Sequence, residues 1–150
     1  MNYDSKADTL LHIKRVAQLM TNASIELIRR ANIHDNSKLE SPEKELFDEF
    51  TPKLKGCSYG SEEYKGYLKE LKVALNHHYK HNSHHPEYYE NGVNGFDLFD
   101  LIEMFFDWKA AGERHADGNI YKSIEINKDR FKLSEQTVDI FTNTAKRLGW

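Results

Sequence analysis

Apolar residues recur at helical spacing along almost the whole chain. Leu10, Ile13, Val16, Met20, Leu27 and Ile28 follow i, i+3, i+4 steps and predict helix over residues 5–31. Asn22 and Ser24 fall inside that stretch. Both are N-cap residue types, so a break and a second helix are expected there. Ser41 and Pro42 open a further helix carrying Leu46, Phe47 and Phe50, which Thr51-Pro52 is expected to end. Residues 56–60 read as a loop. Ser61 then opens a helix to about residue 79, with Tyr64, Tyr67, Leu68, Leu71, Ala74 and Leu75 on one face. Residues 81–95 are loop-like, punctuated by Pro86, Asn91-Gly92 and Asn94-Gly95. The string FDLFDLIEMFFDWKAA is apolar nearly all round, which predicts a central buried helix over residues 97–111. Another helix is expected over 120–131. Ser134 caps a last one, striped by Val138, Phe141, Ala145 and Leu148. No alternating strand pattern of useful length occurs, so the expected fold class is all-α: one compact helical bundle.

Composition narrows the picture. The 150 residues suit one domain, expected over 1–150, and 39% hydrophobic with 30% charged is ordinary for a domain with a real core. Lys and Arg total 21 against 24 Asp and Glu, a net charge of −3, which argues against an electrostatic nucleic-acid binder. The lone Cys57 forms no internal disulfide and excludes a cysteine-based zinc site. No apolar run approaches the roughly 18–20 residues of a membrane helix, and no signal peptide opens the chain. The simplest expected compartment is therefore cytoplasmic. The unusual feature is eight histidines, five of them between His77 and His85.

Histidines and carboxylates fall at suggestive positions. Asp100, Glu103 and Asp107 line one face of the apolar helix over 97–111. A row of buried carboxylates must meet cations, metal ions or water, whereas a solvated row pairs with Lys or Arg. His34-Asp35, in the string HDNSK, can place an imidazole and a carboxylate on one cation. His12 lies on the apolar side of the first helix, where a lone His is commonly a core residue. Sharing a metal with His34 requires the break near Asn22, because 22 residues of unbroken helix separate the two by about 33 Å. In HHYKHNSHHPE, His78 continues the apolar face of its helix, His84 and His85 follow in the loop, and His81 reads as an incidental surface histidine.

The order His12, His34-Asp35, His78, His84/His85, Asp107 resembles the HD-domain superfamily of metal-dependent phosphohydrolases, whose motif is H…HD…D. Within it, the chain is most similar to small uncharacterised proteins sharing HDxSK, HHxxxNxHHxE and EMxxDW, written here as HDNSK, HHYKHNSHHPE and EMFFDW. The resemblance implies that His12, His34, Asp35 and Asp107 are core metal ligands. It also implies that His78 with one or both of His84 and His85 adds ligands for a second metal, and that Lys38 lies near substrate phosphate. Lys38 stands where the family's mononuclear 5′-nucleotidases carry Glu, and the extended GYP motif of cyclic-dinucleotide phosphodiesterases is missing.

The function so implied is hydrolysis of a nucleotide or another small phosphate ester by metal-activated water. One or two divalent ions (Mn, Fe, Co, Ni or Zn) would serve as cofactor. In that expectation Asp107 or Glu103 orients the water or takes its proton, and Glu103 alternatively fixes a ligating imidazole. Lys38 steadies a phosphoryl oxygen. Arg114, further along the side of Asp107, binds phosphate or pairs with neighbouring carboxylates. Tyr88 and Tyr89 stack on a base or simply pack, and Trp108 and Trp150 read as core and terminal anchor. His115 and Cys57 carry no expected role. A di-iron oxygenase of the HD type and a non-catalytic nucleotide-binding regulator are the alternatives.

Overall fold

The computed structural model describes residues 3–56, 61–114 and 118–150, with the side chain at position 55 set aside. The predicted loop at 57–60, with Cys57, and His115 lie outside the described residues. Among those described, regular structure is helix and short 3₁₀ turn only, in keeping with the all-α expectation. None of these helices is long and apolar enough to cross a membrane. The chain divides into two compact units, Met1–His34 and Asp35–Trp150.

The first unit is one helix, α1, spanning Lys6–Ile33 without interruption. The break expected at Asn22 and Ser24 does not occur. The Ser24 hydroxyl donates to the Met20 carbonyl at 2.9 Å, and Thr21 does the same to Ala17 at 2.9 Å. Each hydroxyl thus bonds back within its own helix instead of capping a new one. Near the end, Glu26 receives Arg29 at 2.7 Å and Arg30 at 3.2 Å, i, i+3 and i, i+4 pairs that support the final turns. No residue of α1 is buried, and Leu10, Ile13, Val16 and Met20 stand exposed rather than in a core. A single helix has no second layer within its own unit to bury them against.

The second unit starts at a sharp corner. Asp35 takes the left-handed conformation, φ 57°, which Asp tolerates better than most side chains, and a 3₁₀ turn follows over Asn36–Leu39. Helix α2 then covers Glu43–Gly56, running through Pro52 rather than stopping there. A proline near the exposed end of a helix removes one bond, to the carbonyl four residues back, and here the chain tolerates that loss. The helix expected over 61–79 is two: α3, Glu62–Glu70, and α4, Lys72–His81, jointed at the buried Leu71. Phe50, Leu71 and Ala74 form the small core these helices share, with Phe47, Tyr67 and Leu75 packed against it.

Helix α5, Leu98–Gly112, begins at a capping box. The Asp97 carboxylate accepts from the backbone N–H groups of Phe99 and Asp100, and the Asp100 carboxylate accepts from that of Asp97. It is the centre of a larger core with α6, Ile120–Phe131, and α7, Glu135–Leu148. Met104 and Phe105 are buried there, and the Phe105 ring stacks on Phe141 with centroids 4.7 Å apart. Trp108 packs against Phe131 and Phe141, and Trp150 against Phe105, as the anchors expected. The burial of α5 is one-sided, since Leu98 and Phe106 are exposed; so is Leu148, the last position of the expected α7 stripe. Asn119 and Ser134 cap α6 and α7 by accepting from Tyr121 and Thr137 N–H groups.

Candidate metal centre

Four side chains of the second unit converge: Asp35, His78, His84 and His85. One donor atom from each lies within 4.8 Å of every other. They come from three places. Asp35 sits on the left-handed corner. His78 is in the last turn of α4, at the register of Leu71 and Ala74, where the helix face is buried. His84 and His85 stand between α4 and the 3₁₀ turn Pro86–Tyr88.

The ring orientations are set from behind. His78 Nδ1 lies 2.9 Å from Glu43 Oε2, and His84 Nδ1 lies 3.2 Å from Glu103 Oε1. Each ring has a carboxylate on both sides, and in each the Nδ1 approach, to Glu43 or Glu103, is shorter than the Nε2 approach to Asp35, so Nδ1 carries the proton and Nε2 keeps the lone pair. Those other nitrogens point to one place: His78 Nε2 is 3.2 Å and His84 Nε2 3.5 Å from Asp35 Oδ1, and His85 Nε2 is 2.8 Å from His78 Nε2. Burial and the neighbouring His84 and His78 rings push the His85 imidazole down to about 3, against the opposing pull of Asp107 and Asp35. His85 is therefore neutral at pH 7, the form that ligates metals.

Three imidazole nitrogens and a carboxylate oxygen turned toward one point repel one another unless protons or a cation lie among them, and a proton between His78 and His85 accounts for one pair only. Donors placed about 2.0–2.2 Å from a tetrahedral ion stand roughly 3.3–3.6 Å apart; the two distances to Asp35, 3.2 and 3.5 Å, are close to this, and the 2.8 Å between His78 and His85 is shorter. The set has no thiolate and suits the borderline ions Mn, Fe, Co, Ni and Zn. The residues fit a metal.

The acidic row on α5 separates into three roles. Asp107 offers a carboxylate oxygen within 4.8 Å of one from Asp35. Glu103 holds His84. Asp100 is fully buried: its oxygens accept from the Ser83 hydroxyl at 2.6 Å and the Tyr89 hydroxyl at 2.7 Å. Tyr89 is thereby tied to the scaffold, and burial together with this bond pushes its phenol up to about 12.

Other expected site residues fall differently. Lys38 donates to Asp35 Oδ2 at 2.6 Å and keeps 39% of its side chain exposed, so it flanks the centre. His12 and His34 are carried by the unbroken α1 and its C-cap, which separates them by about 33 Å. His12 therefore does not share a metal with His34 within one chain; the hairpin that would have returned it is absent because Ser24 and Thr21 stay inside the helix. His34 immediately precedes Asp35 and ends the first unit. Arg114 lies past the end of α5, in an exposed turn, and not on the helix face of Asp107. His81 is exposed, its ring stacked on His77.

Sequence reasoning missed Glu43, Ser37 and Asn82. Glu43 has no exposed surface and accepts from His77 Nδ1 at 2.7 Å, from His78 Nδ1, and from the Ser37 hydroxyl at 3.1 Å. The Asn82 amide donates to Ser37 Oγ and to the His78 carbonyl, both at 2.8 Å. In the sequence Glu43 looks like any acid in the first turn of a helix; Ser37 and Asn82 are fixed letters of HDxSK and HHxxxNxHHxE, and it was their role that went unread.

No curated protein and no solved structure matches the sequence. A family model does, over residues 1–147, and the chain belongs to that family, DUF5662, a family of unknown function.

Proposed function

We propose that this chain is a metal-dependent phosphohydrolase acting on a nucleotide or another small phosphate ester. The observation that carries the reading is the convergence of His78, His84 and His85 ring nitrogens on Asp35 Oδ1, with the rings of His78 and His84 held from behind by carboxylates. Asp35, His78, His84 and His85 would hold a divalent ion. When bound, the ion supplies a Lewis acid for phosphoryl oxygens and acidifies a coordinated water. Asp107, close to Asp35, is the carboxylate available to orient the attacking water and take its proton. Lys38 provides a half-exposed point charge beside the centre, able to leave Asp35 for a non-bridging phosphate oxygen.

Elemental analysis of protein prepared anaerobically with added metal tests this, alongside Asp35→Ala and Asp107→Ala and a screen of phosphate esters. The expected result is near-stoichiometric Mn, Co, Ni or Zn in the parent, little in Asp35→Ala, and phosphate release that both variants lose by about 100-fold or more. Two irons per chain with oxygen consumption would replace the hydrolase with an oxygenase. A chain that folds and takes up no metal sinks the catalytic reading and leaves a binding module.

A further inference from the structure

We infer that Glu43 is a positioning residue for the candidate centre, fixing His78 as the Nδ1–H tautomer so that its Nε2 lone pair faces Asp35, with Glu103 doing the same for His84. The inference deepens the metal-centre reading and rests on it.

Glu43 occupies the first turn of α2, where the helix dipole favours a negative charge, and it is fully buried. A buried carboxylate needs several donors to offset its desolvation. It has three, and their distribution matters. Oε1 takes His77 Nδ1 at 2.7 Å; Oε2 takes His78 Nδ1 at 2.9 Å and the Ser37 hydroxyl at 3.1 Å. Ser37 is two residues beyond Asp35, and His77 and His78 are successive residues of α4. One carboxylate therefore joins the corner that carries Asp35 to the helix that carries His78.

The tautomer follows from the competition at His78 Nδ1. The Asn82 amide also approaches that nitrogen, at 3.0 Å, but its two N–H groups have shorter acceptors in Ser37 Oγ and the His78 carbonyl. Ser37, receiving from Asn82, directs its own hydrogen to Glu43. The Ser37 hydroxyl also lies 3.2 Å from Nδ1, but the carboxylate at 3.1 Å is the stronger acceptor for its hydrogen, so Nδ1 carries its own proton into Glu43. A positioning carboxylate of this kind orients the ring and raises the basicity of the nitrogen on its far side.

His84 repeats the arrangement from the opposite wall. It is buried, its Nδ1 meets Glu103 of α5 at 3.2 Å, and its Nε2 turns to the same Asp35 oxygen. Two rings from two elements are each held by a glutamate of a third and a fourth, α2 and α5. The centre is prepared before any ion arrives.

The test uses the full chain, Glu43→Gln and Glu103→Gln, and Zn²⁺ titrated against a chromophoric chelator. Each variant should bind Zn²⁺ about 10–100-fold more weakly than the parent, with melting curves still cooperative. In the metal-free, ¹⁵N-labelled parent, long-range ¹H–¹⁵N spectra should show His78 and His84 as Nδ1–H tautomers. Glu43→Gln should disturb the pattern at His78 and at its other ring partner His77 while leaving His84 unchanged, and Glu103→Gln should disturb His84 while leaving His78 unchanged, selectivity that a merely structural role would not give. An Nε2–H tautomer at His78 in the parent overturns the inference, whether or not the variants fold. So does a Glu43→Gln variant that binds Zn²⁺ within about two-fold of the parent, well short of the usual loss. A parent that takes up no Zn²⁺ yet shows both Nδ1–H tautomers would sink the hydrolase reading while upholding the positioning of the rings.

Discussion

Glu43 and Asp100 are both carboxylates without exposed surface, and they are surrounded by different chemistry. Glu43 is met by two imidazole nitrogens and a serine hydroxyl; Asp100 by a serine hydroxyl, a tyrosine hydroxyl and the backbone N–H of Asp97. The Ser83 and Tyr89 hydroxyls each have one proton and spend it on Asp100. An imidazole carries the effect further, because fixing one ring nitrogen decides what the other can do. Asp100 therefore fastens the connection between α4 and α5, which reaches it through Ser83 and Tyr89, and caps α5 besides. Glu43 prepares a neighbouring nitrogen for a ligand. Burial and charge alone would have put the two in one class; the partners separate them.

The sharpest way to break this comparison is Asp100→Ala. It leaves the Ser83 and Tyr89 hydroxyls and the Asp97 N–H without their buried acceptor, and should lower stability by roughly 3 kcal/mol. Urea unfolding reads the loss directly. The variant should still bind Zn²⁺ more tightly than Glu43→Gln does. The reverse order would mean that fastening the connection governs the centre as strongly as tautomer control, and the distinction would fall. Ser37→Ala is gentler. It removes one of three donors to Glu43 and one acceptor of Asn82, for about 1 kcal/mol of stability and a loss of Zn²⁺ affinity smaller than that of Glu43→Gln.

Much of this was legible in the chain, for identifiable reasons. Helix α7 announces itself through the Ser134 cap and an apolar stripe, two signals that agree, and α5 through its apolar run. His78 could be placed inward because helical period carries Leu71 and Ala74 to the same face. Cap and stop signals taken from residue type alone misled. Ser24 has the chemistry of a cap, yet its hydroxyl found the Met20 carbonyl; Thr51-Pro52 has the look of a stop, yet α2 continues to Gly56. The position of His12 depended on that one break, so its assignment went with it. Glu43 was invisible for a different reason. Its role comes from a meeting of α2 with α4, 34 and 35 residues away in sequence, and no local pattern encodes such a meeting.

The smallest effect probes the Asp100 side at high pH. Burial and the bond to Asp100 raise the Tyr89 phenol from 10.0 to about 12. A raised pKa means the fold favours the protonated phenol, so this contribution is present in full below pH 10 and is lost as pH climbs from 10 toward 12. Tyr89→Phe should cost about 1 kcal/mol at neutral pH and less as that window is crossed, where the parent converges on the variant. The tyrosinate absorbance of the parent should contain one late-titrating ring that the variant lacks. If Asp100→Asn brings that ring back toward 10 while leaving the His78 and His84 tautomers alone, the two buried carboxylates are separate devices. If the tautomers shift with it, Asp100 also reaches the candidate centre, through Ser83 and the adjoining His84.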